Sequence, residues 1–263
     1  MTAGSSGLFD LAGPILDRLA LLLGWLPGLL QLAVWALVAA IVSMGLYGLT
    51  SRQGELTELK PRIAAAQRAL IDYDGPMGGL WRLMGGQFRL IGRQLWLTFW
   101  PAVLGSVPVL FLLVWLSNHY GNDLPPPGEP VRVTAQAAPG ARLPTLRWDG
   151  VTTADGAAPG AWQLPWPSAA APARLVDAGG TTFVTLPTAT ATPVVHQRRW
   201  WNVLIGNPAG YLPTPGPVEA VSIGLPAQQF LPFGPGWLRG WLVPFFTLLV
   251  ACSLAIKRYW RLR

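Results

Sequence analysis

The stretch LLQLAVWALVAAIVSMGLYGL, residues 29–49, holds 21 residues and no charge. The uncharged run around it reaches from Leu19 to Ser51. A helix of this length, rising about 1.5 Å per residue, crosses a hydrocarbon core about 30 Å thick. The reading is a transmembrane helix over 28–50. Two further uncharged runs, Gln94–Asn118 and Gly240–Ile256, predict spans over 94–117 and 237–256. The last is short, with Arg239 and Lys257 placed to snorkel at its ends. Trp25, Trp35, Trp96, Trp100, Trp115, Trp237, Trp241 and Trp260 cluster in or near these runs, as residues of an interfacial belt would. Asp10 and Asp17 precede the first run, Arg18 is the only base before it, and the run is too long for a cleaved signal core. It is read as a retained helix.

The composition agrees. Of 263 residues, 51% are hydrophobic and 12% charged, with a mean hydropathy of +0.38. Soluble domains carry about a quarter charged residues, so an ordinary soluble enzyme is a poor fit. The net charge of +7 is explained by where the bases sit. Residues 52–93 carry seven bases against four acids, and Lys257, Arg258, Arg261 and Arg263 follow the third run with no acid among them. The 118–236 segment is balanced, six against six. The positive-inside rule then predicts that 52–93 and the C-terminal tail 257–263 are cytoplasmic, and that the N-terminal segment and the long 118–236 segment are external. The basic balance is an orientation signal, and nucleic acid is not an expected partner.

Between the runs the patterns change. Residues 1–27 form an external N-terminal segment. Within it, Phe9, Ile15, Leu16 and Leu19 can share one face with Asp10 and Asp17 on another, which reads either as an interfacial amphipathic helix or as the start of an overlong first helix. In 51–93, Leu56, Leu59, Ile63, Ala66 and Leu70 repeat at heptad spacing. Pro61 falls inside that seam, where it is expected to kink the helix or start a new one. After Asp72-Tyr73-Asp74-Gly75-Pro76, which reads as a turn, helical spacing resumes with Leu80, Leu83, Met84, Phe88 and Ile91, and Arg82, Arg89 and Arg93 line the other side. The expectation is a cytoplasmic helical hairpin, either a plain connector or a surface for anionic lipid or a client. Pro101 and Pro108 in the second span predict a kink that frames a groove or serves packing, with Thr98 and Ser106 placed to satisfy the freed carbonyls.

Residues 118–236 are rich in Pro, Gly, Ala and Thr. Alternating runs at Val131–Ala135, Thr145–Trp148, Ala161–Leu164, Arg174–Asp177, Thr182–Leu186 and Val218–Ile223 are separated by turn signals such as Asp149-Gly150, Pro159-Gly160 and Gly179-Gly180. They predict a small all-β, antiparallel, periplasmic domain. The segment His196–Pro213 differs: Trp200, Trp201, Leu204 and Ile205 crowd beside Arg198 and Arg199, either as a patch facing the membrane or a partner, or as part of the domain core.

Catalytic constellations are not found. His119 has Asn118 and Asp123 near it in sequence and reads as structural. His196 lacks a nearby carboxylate or cysteine, and Cys252 lies within the third run as a small hydrophobe. There is no phosphate loop, dinucleotide fingerprint or nucleophile elbow. No span carries Asp, Glu, Lys or Arg, which disfavours a proton relay or ion-coupled transporter. No enzyme activity, cofactor or metal is expected. The expected fold class is an α-helical membrane protein with three transmembrane helices, a cytoplasmic helical hairpin and the β domain.

The order of these parts carries a resemblance. A first span leads into a hairpin opening with Ser51-Arg52-Gln53 and running through Glu58-Leu59-Lys60-Pro61-Arg62-Ile63. A Pro-bearing second span, an external segment and a third span follow. The arrangement, over 19–117 and 237–263, resembles the three-span members of the YidC/Oxa insertase superfamily, which include archaeal YidC-like proteins and the insertase subunit of the ER membrane complex. A bacterial branch resembling that subunit, with a β domain between the second and third spans, is the nearer likeness. The resemblance implies a multi-pass protein of the bacterial inner membrane whose cytoplasm-facing groove accommodates client segments. On it, Gln31 and Ser43 would give the groove polarity, with Met44 beside them. Pro101 and Pro108 would shape it, Met77 and Met84 would cradle apolar clients, and Arg82, Arg89 and Arg93 would contact lipids or client tails. The alternative is a non-catalytic structural or assembly subunit that binds a partner membrane protein through its periplasmic domain, at Trp200 and Trp201.

Overall fold

The computed structural model describes residues 6–155 and 158–260. Residues 1–5 of the N-terminal segment, and Arg261 and Arg263 of the basic tail, lie outside the described residues. The chain divides into two compact units, Met1–Pro27 with Phe111–Val243, and Gly28–Leu110 with Pro244–Arg263.

The second of these units is helical. Helix α2 (Gly28–Thr50), α3 (Gln53–Ile71), the first part of α4 (Met77–Tyr120) and α6 (Leu242–Tyr259) compose it; α1 (Gly13–Leu23) and the short α5 (Gly236–Arg239) belong to the first unit. Helices α2, α4 and α6 are each long and apolar enough to cross a membrane. Helix α2 starts only after Pro27, which has no N–H to continue α1, and it ends where Thr50 Oγ1 donates to the Leu46 carbonyl at 2.6 Å and the Ser51 amide to Tyr47 at 2.8 Å.

In α3 the heptad seam is turned inward. Leu56 and Leu59 are buried, and Ile63, Ala66 and Leu70 are half-buried. Of the two outcomes expected at Pro61, a new helix does not start there, and α3 runs through it. Pro61 is exposed, on the side of the helix where carbonyls can tilt toward solvent. The turn after α3 forms at 72–76, where the Tyr73 hydroxyl donates to the Pro76 carbonyl at 3.0 Å.

The second arm of the hairpin and the second span are one helix. Helix α4 has 44 residues, about 66 Å at 1.5 Å per residue, twice what a hydrocarbon core needs. No turn residue interrupts 93–94, so the helical spacing on either side simply continues. Pro101 and Pro108 lie inside α4 without ending it. They free the carbonyls of Leu97 and Leu104, yet Thr98 Oγ1 donates to Gln94 and Leu95 at 3.0 and 3.1 Å, and Ser106 Oγ to Val103 at 2.8 Å. These hydroxyls therefore bond to the turns before the prolines, and the expected repair of the freed groups is not made by them. The reach of a hydroxyl back to i−3 or i−4 explains the difference.

The other unit contains an antiparallel β domain. Strands β1 (Pro130–Ala137), β3 (Ala154–Asp155), β4 (Ala161–Pro165), β7 (Val194–His196) and β8 (Val218–Ile223) form a five-stranded sheet in the order β3-β4-β1-β8-β7. Strands β2 (Leu146–Asp149), β5 (Arg174–Asp177) and β6 (Thr182–Thr185) form a three-stranded sheet in the order β2-β5-β6. The central strand β1 alternates in burial, with Val131, Val133 and Ala135 inward, as a strand with one covered face must. Together with Trp148, Trp162, Trp166, Leu175 and Val221 they make one core. The six predicted runs are strands; β3 and β7, two and three residues long, carry too little alternation to be read. The turn signals also act as read: Gly150, Gly160 and Gly180 have φ of +84°, +77° and +82°, a conformation costing residues with a Cβ about 1–2 kcal/mol.

Two belt tryptophans differ from expectation. Trp35 and Trp115 are buried in the protein, whereas Trp25, Trp96 and Trp237 are exposed. At Gly160 a Cβ would come within 2.7 Å of Leu143 Cδ1 and 2.9 Å of the Ala135 carbonyl, whereas at Gly180 it would meet nothing within 4 Å. Gly160→Ala is therefore expected to lower the melting temperature clearly more than Gly180→Ala, which carries only the backbone term of about 1 kcal/mol.

Candidate functional site

The residues expected to shape a groove fall into separate places. Ser43 in α2 lies against Gly105 in α4. A Cβ at 105 would sit 3.1 Å from the Ser43 carbonyl and 3.5 Å from its Oγ. Buried Ala36, Ala39 and Ala40 precede Ser43 on α2, and Pro101 is buried one turn before Gly105. Small residues on both helices permit close approach, the usual way apolar helices pack without a hydrophobic drive. Ser43 and Pro101 thus belong to a helix–helix contact. Met44, Gln31 and Pro108 are half-buried, Met84 is half-buried on the first turns of α4, and Met77 is exposed at its start.

The three arginines of the α4 arm also part company. Arg93 pairs with Glu55 of α3 at 3.2 Å, and Arg52 pairs with the same carboxylate at 3.3 Å. Arg82 and Arg89 are exposed. The Arg93 hydrogen bond, with Arg52 adding to it, holds the Glu55 carboxyl below its ordinary value. This tie pins the hairpin arms at the end nearest the α2–α3 turn.

On the β-domain unit, Trp200 and Trp201 open a 3-10 turn, Trp200–Val203. Trp200 is 83% exposed. Trp201 is tucked back, its ring 5.1 Å from that of His196. The patch expected from both tryptophans is therefore built on one of them, because successive residues of a tight turn point to different sides.

The same unit holds a cavity of about 460 Å³ that the sequence did not reveal. Asp10, Gly13 and Asp17 of the N-terminal segment line one wall, Trp115, Asn118 and His119 of α4 another, and Asn122, Asp123 and Thr190–Thr192 close it. Each carboxylate on the first wall has work. Asp10 Oδ2 accepts from the Gly7 and Gly206 amides at 2.7 and 2.9 Å. Asp17 Oδ1 accepts from Trp115 Nε1 at 2.7 Å. The Trp115 and His119 rings stack at 4.7 Å and 15°, and Tyr120 stands edge-on to both. Among the described residues, three carboxylates and no Lys or Arg line the space, so its field favours cations over anions. Among the described residues, no three His, Cys, Asp or Glu side chains gather as a metal site. The sequence signal was the seven-residue spacing of Asp10 and Asp17, two turns of one helical face. What it lacked was any sign that this face meets Trp115.

No protein-family model, no curated protein and no solved structure matches this chain.

Three outcomes follow from this geometry. Gly105→Leu, which drives a side chain into the Ser43 backbone, should destabilise the α2–α4 contact by about 1–3 kcal/mol, read as a lower melting temperature in detergent. Asp17→Ala strips Trp115 Nε1 of its acceptor and should cost about 1–3 kcal/mol; Asp17→Asn, which keeps an acceptor, should cost less in the same melt. The Glu55 tie has a defined pH window. A carboxyl whose folded value is depressed stabilises above its ordinary value, and the effect is lost as pH falls through the depressed one. Protection of the α3 amides from hydrogen exchange, taken relative to the intrinsic rate at each pH, should therefore fall at the acid end, and Arg93→Gln should move the onset up toward the ordinary carboxylate range.

Proposed function

We propose that this chain is a non-enzymatic inner-membrane protein that acts as an insertase or intramembrane chaperone, holding client segments against its apolar helices. Its topology on this reading is N-terminus outside and C-terminus inside. The 51–93 arms and the basic tail are then cytoplasmic, and the β domain is periplasmic. The distribution of bases supports the orientation. The order of a span, a hairpin, a second span, a β domain and a third span supports the likeness to the YidC/Oxa plan.

The observation that carries the reading is how little the spans cover one another. Only 28%, 17% and 11% of the most apolar stretches of α2, α4 and α6 are buried within the chain. Lipid or a further helix must cover the rest, and a sparse set of this kind leaves room for a client. Exposed Leu104 and Val107 on α4 and Ile41 on α2 are the surfaces such a segment would meet. Arg82 and Arg89, exposed on the α4 arm, fit contact with anionic headgroups or acidic client tails.

A second reading, a stoichiometric subunit of an inner-membrane complex, is favoured by Trp200, whose exposed ring on the β domain suits a partner surface.

The test is a photocrosslinker at Leu104 and at Ile41 in cells making small membrane proteins, combined with depletion of this chain. The insertase reading expects short-lived adducts to nascent apolar segments and slower insertion of small reporters on depletion. Unchanged insertion overturns it. One abundant copurifying protein, lost on changing Trp200 and Trp201 to Ala, establishes the subunit reading in its place.

A further inference from the structure

The N-terminal segment is built inside-out. Its 3-10 turn Leu8–Ala12 and helix α1 present two stripes. Asp10, Gly13 and Asp17 line the cavity and Ala20 is buried, so the positions spaced 3, 4 and 3 apart turn toward the protein. Leu8, Leu11, Ile15, Leu19 and Leu22, spaced 3, 4, 4 and 3 apart, are all exposed, at 44–69% of their surface. A helix on a water-facing surface does the reverse, with leucines in and acids out. The face predicted from the sequence is corrected here as well: Phe9 packs inward edge-on to Phe111 at 5.1 Å, Leu16 is half-buried, and Leu8, Leu11 and Leu22 take their places outside.

This stripe does not stand alone. The Phe9 amide donates to the Leu204 carbonyl at 2.9 Å, and Gly206 donates to Asp10. A side chain at Gly7 would overlap the backbone of Leu204 and Gly206. These contacts stitch the segment to the loop that carries exposed Trp200, Val203, Leu204 and Ile205. The charges left outside with the apolar residues are Arg18 and Arg198, both exposed, and Arg199, which is paired with Glu219. Asp10, half-buried, and Asp17, still exposed, line the mouth and wall of the cavity.

We propose that the outer stripe of the N-terminal segment and the Trp200–Ile205 loop form one lipid-docking surface, seated in the headgroup layer of an anionic bilayer. Three features select lipid as the occupant. The stripe is apolar, with exposed Arg18 and Arg198 unopposed by a salt bridge among the described residues and Arg199 paired with Glu219, matching acyl chains below and anionic headgroups around. Trp25 and Trp200, both largely bare, are the side chain that prefers this layer. The chain itself runs from α1 through Pro27 into α2, the first helix able to cross a membrane, so α1 ends within a few residues of that helix. The surface anchors the β-domain unit and holds whether or not the chain inserts clients.

The experiment uses the full chain, with Cys252→Ala, reconstituted into vesicles of phosphatidylethanolamine and phosphatidylglycerol. Single nitroxide labels are placed through Ile15→Cys, Leu19→Cys, Leu22→Cys and Trp200→Cys, and through Arg142→Cys as a β-domain control. All replaced side chains of the surface are exposed, so folding is not at stake; a melt of each labelled protein checks this. Collisions with oxygen, which partitions into lipid, are compared with collisions with a water-soluble nickel chelate. The expected result is oxygen exceeding nickel at the four surface positions and nickel exceeding oxygen at 142. Exchanging phosphatidylglycerol for phosphatidylcholine, or Arg18 and Arg198 for Glu, should pull the Trp200→Cys label back toward water. Nickel exceeding oxygen at positions 15 and 19 overturns the proposal. Labels shielded from both reagents overturn it too, since a protein surface, a second copy included, then covers the stripe.

Discussion

A peptide group placed in hydrocarbon has no water to bond to, so it must be satisfied within its own segment. Three helices of this chain, α2, α4 and α6, are long and apolar enough to meet that constraint. Helices α2 and α4 are continuous although both contain glycines and α4 two prolines, residues that tend to end a helix. Here the neighbouring turns hold, and the hydroxyls of Thr98 and Ser106 spend themselves on local carbonyls.

The β-domain unit obeys a different rule. Its strands are short and its turns glycine-bearing, so its stability rests on the side chains the two sheets enclose, with three tryptophans among them. The division between the units falls within α4, at Leu110 and Phe111. The reason lies in what the last turns of α4 touch. Phe111 meets Phe9, Trp115 donates to Asp17, and Tyr120 stands 5.7 Å from Phe230. A helix that begins as a hairpin arm thus ends as a wall of the cavity.

Much of this was legible residue by residue. The first apolar stretch, the turn at 72–76, the seam through Leu56 and Leu59, six of the strands and the glycine turns at 150, 160 and 180 all announce themselves through local periodicity or a backbone demand. The readings that failed share one feature. They depended on which side of an element would find a partner. Trp35 and Trp115 looked like belt residues because tryptophan composition does not say whether a ring is covered. Trp201 was grouped with Trp200 because adjacency in sequence was taken for adjacency in space.

The amino-acid sequence by itself determined the character of each segment: three apolar runs long enough to span a membrane, a basic connector, and an alternating, turn-rich stretch able to close its own core. Hydrophobic periodicity and charge are local quantities, and they are complete in the chain before it folds. Only the tertiary structure decided that Asp17 meets Trp115 across 98 residues, that Gly105 seats against Ser43, and that Leu8, Leu11, Leu19 and Leu22 face outward while Asp10 and Asp17 line a cavity. Those outcomes depend on which surfaces come together, and a hydrogen bond or a close-packed pair exists only once both partners have been placed.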